Sequence, residues 1–388
     1  MCKIDLSENR IRSGVLLKHL AKPISADFLT IDARINGHDE GGEIVHGTDD
    51  DNSSDLDVEE LLTEYSGTIR RSARAMLVEA ANRERKSIDR FETRLRRYWG
   101  RAIDRLRTLH VLNREFGAEL SAHKRPHAIK RNRVLDVVLI RLHARSCRIA
   151  SEVICLLAGG CADGAHARWR ALHELSVVML FLSKHGERAA RLFVANEQTA
   201  RTANMAEYES HAGKLGFDPH SELEIEYGNA IRDEHIERHG NRITKPYGWA
   251  AIILDRKRVT FRDLECEVGL EHWRPLYTMA SLNNHADAPS LEFDLGDNQR
   301  GRAILLAGPS NLGLADPGHQ TAISLTRIMT VMLRLHQSAQ ATFIVKVAID
   351  LSHEIGEEFS RVHRELDAVS SAQTPSDATA LSLDTEEL

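Results

Sequence analysis

Residues 131–184 read RNRVLDVVLIRLHARSCRIASEVICLLAGGCADGAHARWRALHELSVVMLFLSK, and their pattern decides the fold. Apolar side chains recur at Leu135, Val138, Leu139, Leu142, Ile149, Val153, Leu156 and Leu157, the spacing of a helix whose stripe is broad enough to need cover on both sides. This helix is expected to be central. Gly159 and Gly160 stop it, because glycine accepts the left-handed conformation that closes a helix, and Asp163 is placed to cap the next one. That second helix, over 164–184, offers Leu172, Leu175, Met179 and Leu182 to the core. A connection this short folds the two into an antiparallel hairpin.

Outward from the hairpin the pattern stays helical. From Asp57 to Ser121 there is no proline, and dense arginine separates apolar residues such as Leu95, Trp99, Ile103, Leu106 and Leu109. Pro126 is expected to break this helix. Residues 187–240 read as two helices broken around Gly216 to His220, and only Ala250 to Leu254 looks extended. Thr260 with Asp263 resembles a capping box, and Pro275 sits where a helix carrying Tyr277, Ser281 and His285 begins. The loop GPSNLGLADPG at 308–318 leads into a helical stretch over 319–369, kinked or continuous, long enough to pack along the body or against a second copy in a homodimer. The predicted class is therefore all-α, a multi-helix bundle with long N- and C-terminal helices. Its expected organisation is a flexible arm and acidic linker (1–56), an Arg-rich helical arm (57–130), a main helical domain (131–369) and a disordered tail (370–388).

A chain of 388 residues, 42% hydrophobic, can bury a full core. It contains no apolar run of about 18 residues, and Lys3, Asp5, Glu8, Arg10, Arg12 and Lys18 occupy the place of a signal peptide's apolar segment. Neither export nor a membrane partner is expected, and a reducing cytoplasm fits best. The five cysteines are odd in number and lack a C-x-x-C pair, which argues against a disulfide framework and a structural zinc site. The net charge of -6 conceals an asymmetry: residues 38–64 hold eleven Asp or Glu and no Lys or Arg, whereas residues 65–134 hold nineteen Lys or Arg against seven Asp or Glu. Two readings stay open, a pair of solvated faces or a surface for RNA or another nucleic acid beside an acidic segment that folds over it.

Chemistry-bearing residues fall in two distant blocks. Arg170 and Glu174 are four apart and share a helical face, as do Tyr277, Ser281 and His285. The first pair can hold an anion or simply satisfy itself as an ion pair. The second set can supply an acid or base, a hydroxyl partner and an anion donor, or form a hydrogen-bonded structural network. Arg168 and His173 make an Arg-x4-His pattern, as Arg105 and His110 also do, but five residues turn a helix by about 140° beyond a full circle and separate their faces. In HIERH at 235–239 Ile236 follows the first His where a zinc-protease helix has Glu, and GPSNLGLADPG lacks the Gly-Lys-Ser/Thr of a phosphate loop. No cofactor and no metal site are expected.

The blocks GCADGAHARWRALHELSVV (160–178), KPYGWAA (245–251), TFRDLECEVGL (260–270) and YTMASLNNHADAP (277–289) resemble, in this order, the bacterial domain-of-unknown-function family 5677. Arg170 and Glu174 match its Arg-x-Leu-x-Glu block. The Arg-x4-His pattern also resembles HEPN-type helical ribonucleases, in which the Arg holds phosphate, the His takes part in proton transfer, and RNA is cut by its own 2′-hydroxyl without metal. The resemblance implies a ribonuclease or toxin of phage defence or stress response, using Arg170, Glu174, His173 and His285, with Tyr277 and Ser281 beside them. A non-catalytic scaffold and a ligand or nucleic-acid sensor are the alternatives.

Overall fold

The structure, a computed structural model, describes residues 54–282, 295–297, 303–305 and 307–372, with side chains described for 74–282 and 307–369. The expected flexible arm and linker (1–56) and the expected disordered tail (370–388) lie outside the described residues except at 54–56 and 370–372, which are helical. The elements are α1 (Ser54–Lys130), α2 (Val134–Ala158), α3 (Ala162–Leu215), α4 (Glu222–His239), α5 (Gly248–Ile253), α6 (Phe261–Glu267), α7 (Arg274–Leu282), β1 (Leu295–Asp297), β2 (Ala303–Leu305), α8 (Ala315–Met332) and α9 (Ala339–Ala372). The fold is all-α and multi-helical. Among the described residues β1 and β2 pair antiparallel, with Gly296 opposite Ile304. Two compact units divide between Arg94 and Leu95; the described part of the first is the start of α1, and everything discussed below belongs to the second.

The α2/α3 hairpin forms as its glycines require. Gly160 takes φ 75°, and the N–H groups of Gly160 and Cys161 return to the carbonyls of Leu157 and Leu156 at 3.1 and 2.8 Å, satisfying the last orphan acceptors of α2. Asp163 is not the cap: the cap position is Cys161, and Asp163 lies in the first turn, where its charge still complements the helix dipole. Leu139, Ile149, Val153 and Leu157 of α2 and Leu172, Met179 and Leu182 of α3 are wholly buried. Helix α8 packs on both members of the hairpin, and α9 packs on α8.

Segment 95–130 of α1 closes this core through aromatic and glycine contacts. Trp99, 1% exposed, donates its indole N–H to the carbonyl of Asn311 at 3.1 Å and meets the Phe359 ring of α9 at 5.7 Å. A Cβ on Gly318 of α8 would stand 2.3 Å from that same Phe359 ring, and one on Gly356 of α9 would stand 2.3 Å from His319. Each helix thus receives a ring from the other at a position that only glycine leaves open. Gly117 of α1 does the same for His143 of α2, with 2.2 Å from an added Cβ to the imidazole.

Two sequence expectations are corrected, an open one is resolved and one element is new. Helix α1 runs through Pro126 to Lys130 and is closed by Asn132, whose φ of 52° lets the Asn132 and Arg133 N–H groups reach the carbonyls of Ile129 and Ala128. The proline forgoes one bond near the helix end, where buried Leu120 and Ala128 hold the last turns in place. Residues 250–253 are helical, because buried Trp249, Ala250 and Ala251 pack as one short turn against α3. The stretch 319–369 is two helices, broken after Met332 by a 3-10 turn at Leu333–Leu335. The β1/β2 hairpin was not foreseen. Among the described residues no helix is long and apolar enough to cross a membrane.

Two outcomes follow from the α1/α2 contact. Gly117→Ala forces a Cβ into the His143 ring, so urea denaturation should show a loss of about 1–3 kcal/mol, the usual cost of overpacking. Burial also holds the His143 imidazole down to about 4 from 6.5, so as pH falls the unfolded chain takes the proton first. The stability carried by neutral His143 is complete above about 6.5 and lost on the way to about 4, some 3 kcal/mol at roughly 1.4 kcal/mol per pH unit. Denaturation midpoints should fall across that window, and less steeply in His143→Gln. His110, His166, His173 and His319 shift in the same direction, so the variant should flatten only part of the slope.

Candidate functional site

The site lies where α6, the turn after it and α7 dock on one face of α3. Asp263 accepts from the N–H and hydroxyl of Thr260 at 2.8 and 2.6 Å, the capping box expected from the sequence, and so starts α6 in the register that turns Glu265 inward. A 3-10 turn at Glu271–Trp273 then delivers Arg274, and Pro275 opens α7 as expected. The lower tier is built on Glu265, which has no exposed surface. One carboxylate oxygen accepts from His173 Nε2 at 3.0 Å, and Arg274 contacts the other. The Arg274 guanidinium lies 4.9 Å from the Tyr277 ring centre and 5.4 Å from that of Phe261. Burial keeps the His173 imidazole below its usual pKa despite the carboxylate beside it, so the ring is neutral with its proton on Nε2. Trp169, Phe261, Trp273 and Tyr277 ring this imidazole at 5.5 to 6.1 Å.

Above it stands a second, partly exposed tier. Arg170 Nη2 donates to the Tyr277 hydroxyl oxygen at 2.7 Å, and that hydroxyl donates to Glu174 Oε1 at 2.6 Å. Arg170 and Glu174 close the triangle at 3.3 Å, with side chains 29% and 36% exposed. Burial first, and the Glu174 carboxylate second, hold the Tyr277 phenol well above its usual range, so it keeps its proton. Tyr247 borders the same charges: burial raises its phenol, with Glu174 and Arg170 acting on it in opposite directions. Its backbone has φ 54°, a left-handed conformation rare for tyrosine, and it precedes Gly248, where any Cβ would meet the Arg242 carbonyl oxygen at 2.0 Å. The tier can offer an anion one guanidinium and one hydroxyl, and it can accept a proton on one carboxylate.

The structure brings Arg170, Glu174 and Tyr277 together from helices more than a hundred residues apart. It places His173 beneath them, fully buried and paired with Glu265. The Ser281 hydroxyl donates to the Tyr277 carbonyl at 2.7 Å along its own helix. His285 lies outside the described residues. Arg168 points away and pairs with Glu152 across the hairpin. In the HIERH stretch His235 bonds Gln198 of α3 at 2.7 Å. Among the described residues no group of His, Cys, Asp and Glu is arranged to hold a metal ion. Sequence reasoning missed Glu265, Trp273, Arg274 and Tyr247 as site residues. Glu265 and Tyr247 stand inside the quoted blocks 260–270 and 245–251, but no local spacing links either to α3.

Residues 136–302 match the model of a family of unknown function, DUF5677. No curated protein and no solved structure matches the chain. The matched segment carries both tiers, Arg170, His173 and Glu174 from one side and Glu265, Arg274 and Tyr277 from the other, and over this segment the chain is similar to the DUF5677 family.

Proposed function

We propose that this protein binds RNA and cuts it with the RNA's own 2′-hydroxyl, without metal, as an effector of bacterial phage defence or stress response. The observation that carries this reading is the triangle of Arg170, Tyr277 and Glu174, which joins a phosphate-binding cation, a protonated donor and a carboxylate base at a partly exposed surface. Arg170 holds the non-bridging oxygens of the scissile phosphate, where negative charge develops. Glu174 takes the proton from the 2′-hydroxyl, and the 2′-oxygen bonds to phosphorus as the bond to the 5′-oxygen breaks. Tyr277 gives its hydroxyl proton to the departing 5′-oxygen and recovers one from Glu174, leaving a 2′,3′-cyclic phosphate and a 5′-hydroxyl. His173 and Arg274 act through Glu265 and the aromatic shell, as positioning residues. His285 enters as the alternative donor to the 5′-oxygen.

A second reading is a nucleic-acid or ligand sensor without turnover. It is favoured by the burial of His173 and by the closed circuit in which Arg170, Tyr277 and Glu174 satisfy one another. One assay separates the two. Incubation of the full chain with RNA in EDTA should give fragments ending in 2′,3′-cyclic phosphate, and Glu174→Gln or Tyr277→Phe should slow cleavage by about 10²–10⁴ with little change in thermal midpoint. Binding without any cleavage would leave the sensor reading.

RNA is held, in this proposal, along α1, whose exposed Arg96, Arg97, Arg114, Arg125 and Lys130 remain although Arg101, Arg105 and Arg107 are partly neutralised by Glu358, Glu354 and Asp104. Deleting residues 38–56 removes seven acidic side chains and no Lys or Arg. Filter binding should show tighter RNA affinity in the deleted chain. Both the affinity and the gain should fade as salt rises, because phosphate contacts release counterions. Equal, salt-insensitive affinities would make the charge asymmetry a solvated surface only.

A further inference from the structure

Arg327 of α8 is used by none of the chemistry above. Its guanidinium lies 5.0 Å from the centre of the Trp273 ring, on the turn that precedes Arg274, and its Nη1 is buried without a hydrogen-bond partner. Trp273 Nε1 is likewise a buried donor without a partner. Burial holds the Arg327 guanidinium down to about 10, with no carboxylate acting against that shift. The neighbouring charges are already committed, since Glu265 serves Arg274 and His173, and Glu174 serves Arg170 and Tyr277. Among the described residues, three arginines therefore face two carboxylates in this part of the molecule, and Arg327 is the one left over. A half-buried cation without a counter-charge among the described residues is unfavourable, and a guanidinium stacked on an indole keeps its outer edge available for two parallel hydrogen bonds to an oxyanion.

We propose that Arg327 and Trp273 form a binding subsite for an oxyanion of the phosphate class. The guanidinium edge grips the oxyanion and the Trp273 face fixes the guanidinium plane, as in other stacked arginine sites. The subsite lies outside the Arg170 triangle and stands whether or not the chain cuts RNA. Its Trp273 falls within the segment that matches the family model, whereas Arg327 lies beyond it, since α8 follows residue 302.

The test is thermal unfolding of the full chain against rising inorganic phosphate, with chloride holding ionic strength constant. The midpoint of the native protein should climb with phosphate, as for any ligand bound only by the folded state. Arg327→Met should lose that response, and in phosphate-free buffer its midpoint should equal or exceed that of the native protein, because an uncompensated cation has been removed. Should Arg327→Met fail to fold, Arg327→Lys decides: it keeps the charge but not the fork, and should need about tenfold more phosphate for the same protection. Equal responses in native protein and variants, or none in the native protein, would overturn the proposal. A short oligoribonucleotide without terminal phosphates forms the second arm. Arg327-dependent protection by it as well as by phosphate identifies RNA phosphodiesters as the occupant, and protection by phosphate alone identifies a small phosphorylated ligand. Arg327-dependent protection in a chain that leaves RNA uncut would refute the nuclease reading and uphold this one.

Discussion

A carboxylate with no exposed surface organises this site. Glu265 is wholly buried, and leaving such a carboxylate with one partner removed typically costs about 3–5 kcal/mol. His173 matches one oxygen from α3, and Arg274 matches the other from the start of α7. Those two contacts admit one register of α6, the following turn and α7 against α3. Tyr277, one turn into α7, then has to stand over Arg170 and Glu174. The exposed tier is a consequence of the buried one.

The larger core serves the same end by different means. Its helices are fixed by rings pressed into glycine positions: His143 against Gly117, Phe359 against Gly318 and His319 against Gly356. Such contacts tolerate neither a shift along the helix nor an added methyl group. The hairpin of α2 and α3 and its cover of α8 therefore form a stiff base. Trp169 ties the site to it directly, donating its indole N–H to Ser324 of α8 at 3.1 Å while its ring lies against His173 and Trp273.

The exposed tier carries a tension that bears on function. Arg170, Tyr277 and Glu174 satisfy one another, so a bound phosphate has to exchange for contacts already made. In the proposed reaction the exchange is balanced in charge: an anion at Arg170 replaces the carboxylate, and Glu174 is then released to accept a proton. Arg327 differs, because the described structure gives it nothing to exchange.

What the sequence by itself determined was local. The apolar period of 135–157 and 172–182, the glycine stop at 159–160, the capping box at Thr260 and Asp263 and the helix start at Pro275 are all readable over a few residues, and each formed as its local chemistry requires. The pairing of Arg170 with Glu174 is of the same kind, because four residues always share a helical face. Where a local rule met tertiary packing, packing decided: Pro126 was carried through α1 by its buried neighbours, and residues 250–253 coiled into a helical turn against α3. The partnership of His173 with Glu265 spans 92 residues and that of Tyr277 with Arg170 spans 107, distances over which no spacing rule operates. Only the folded chain could bring those groups together, because burying Glu265 leaves the helices that carry them a single way to dock.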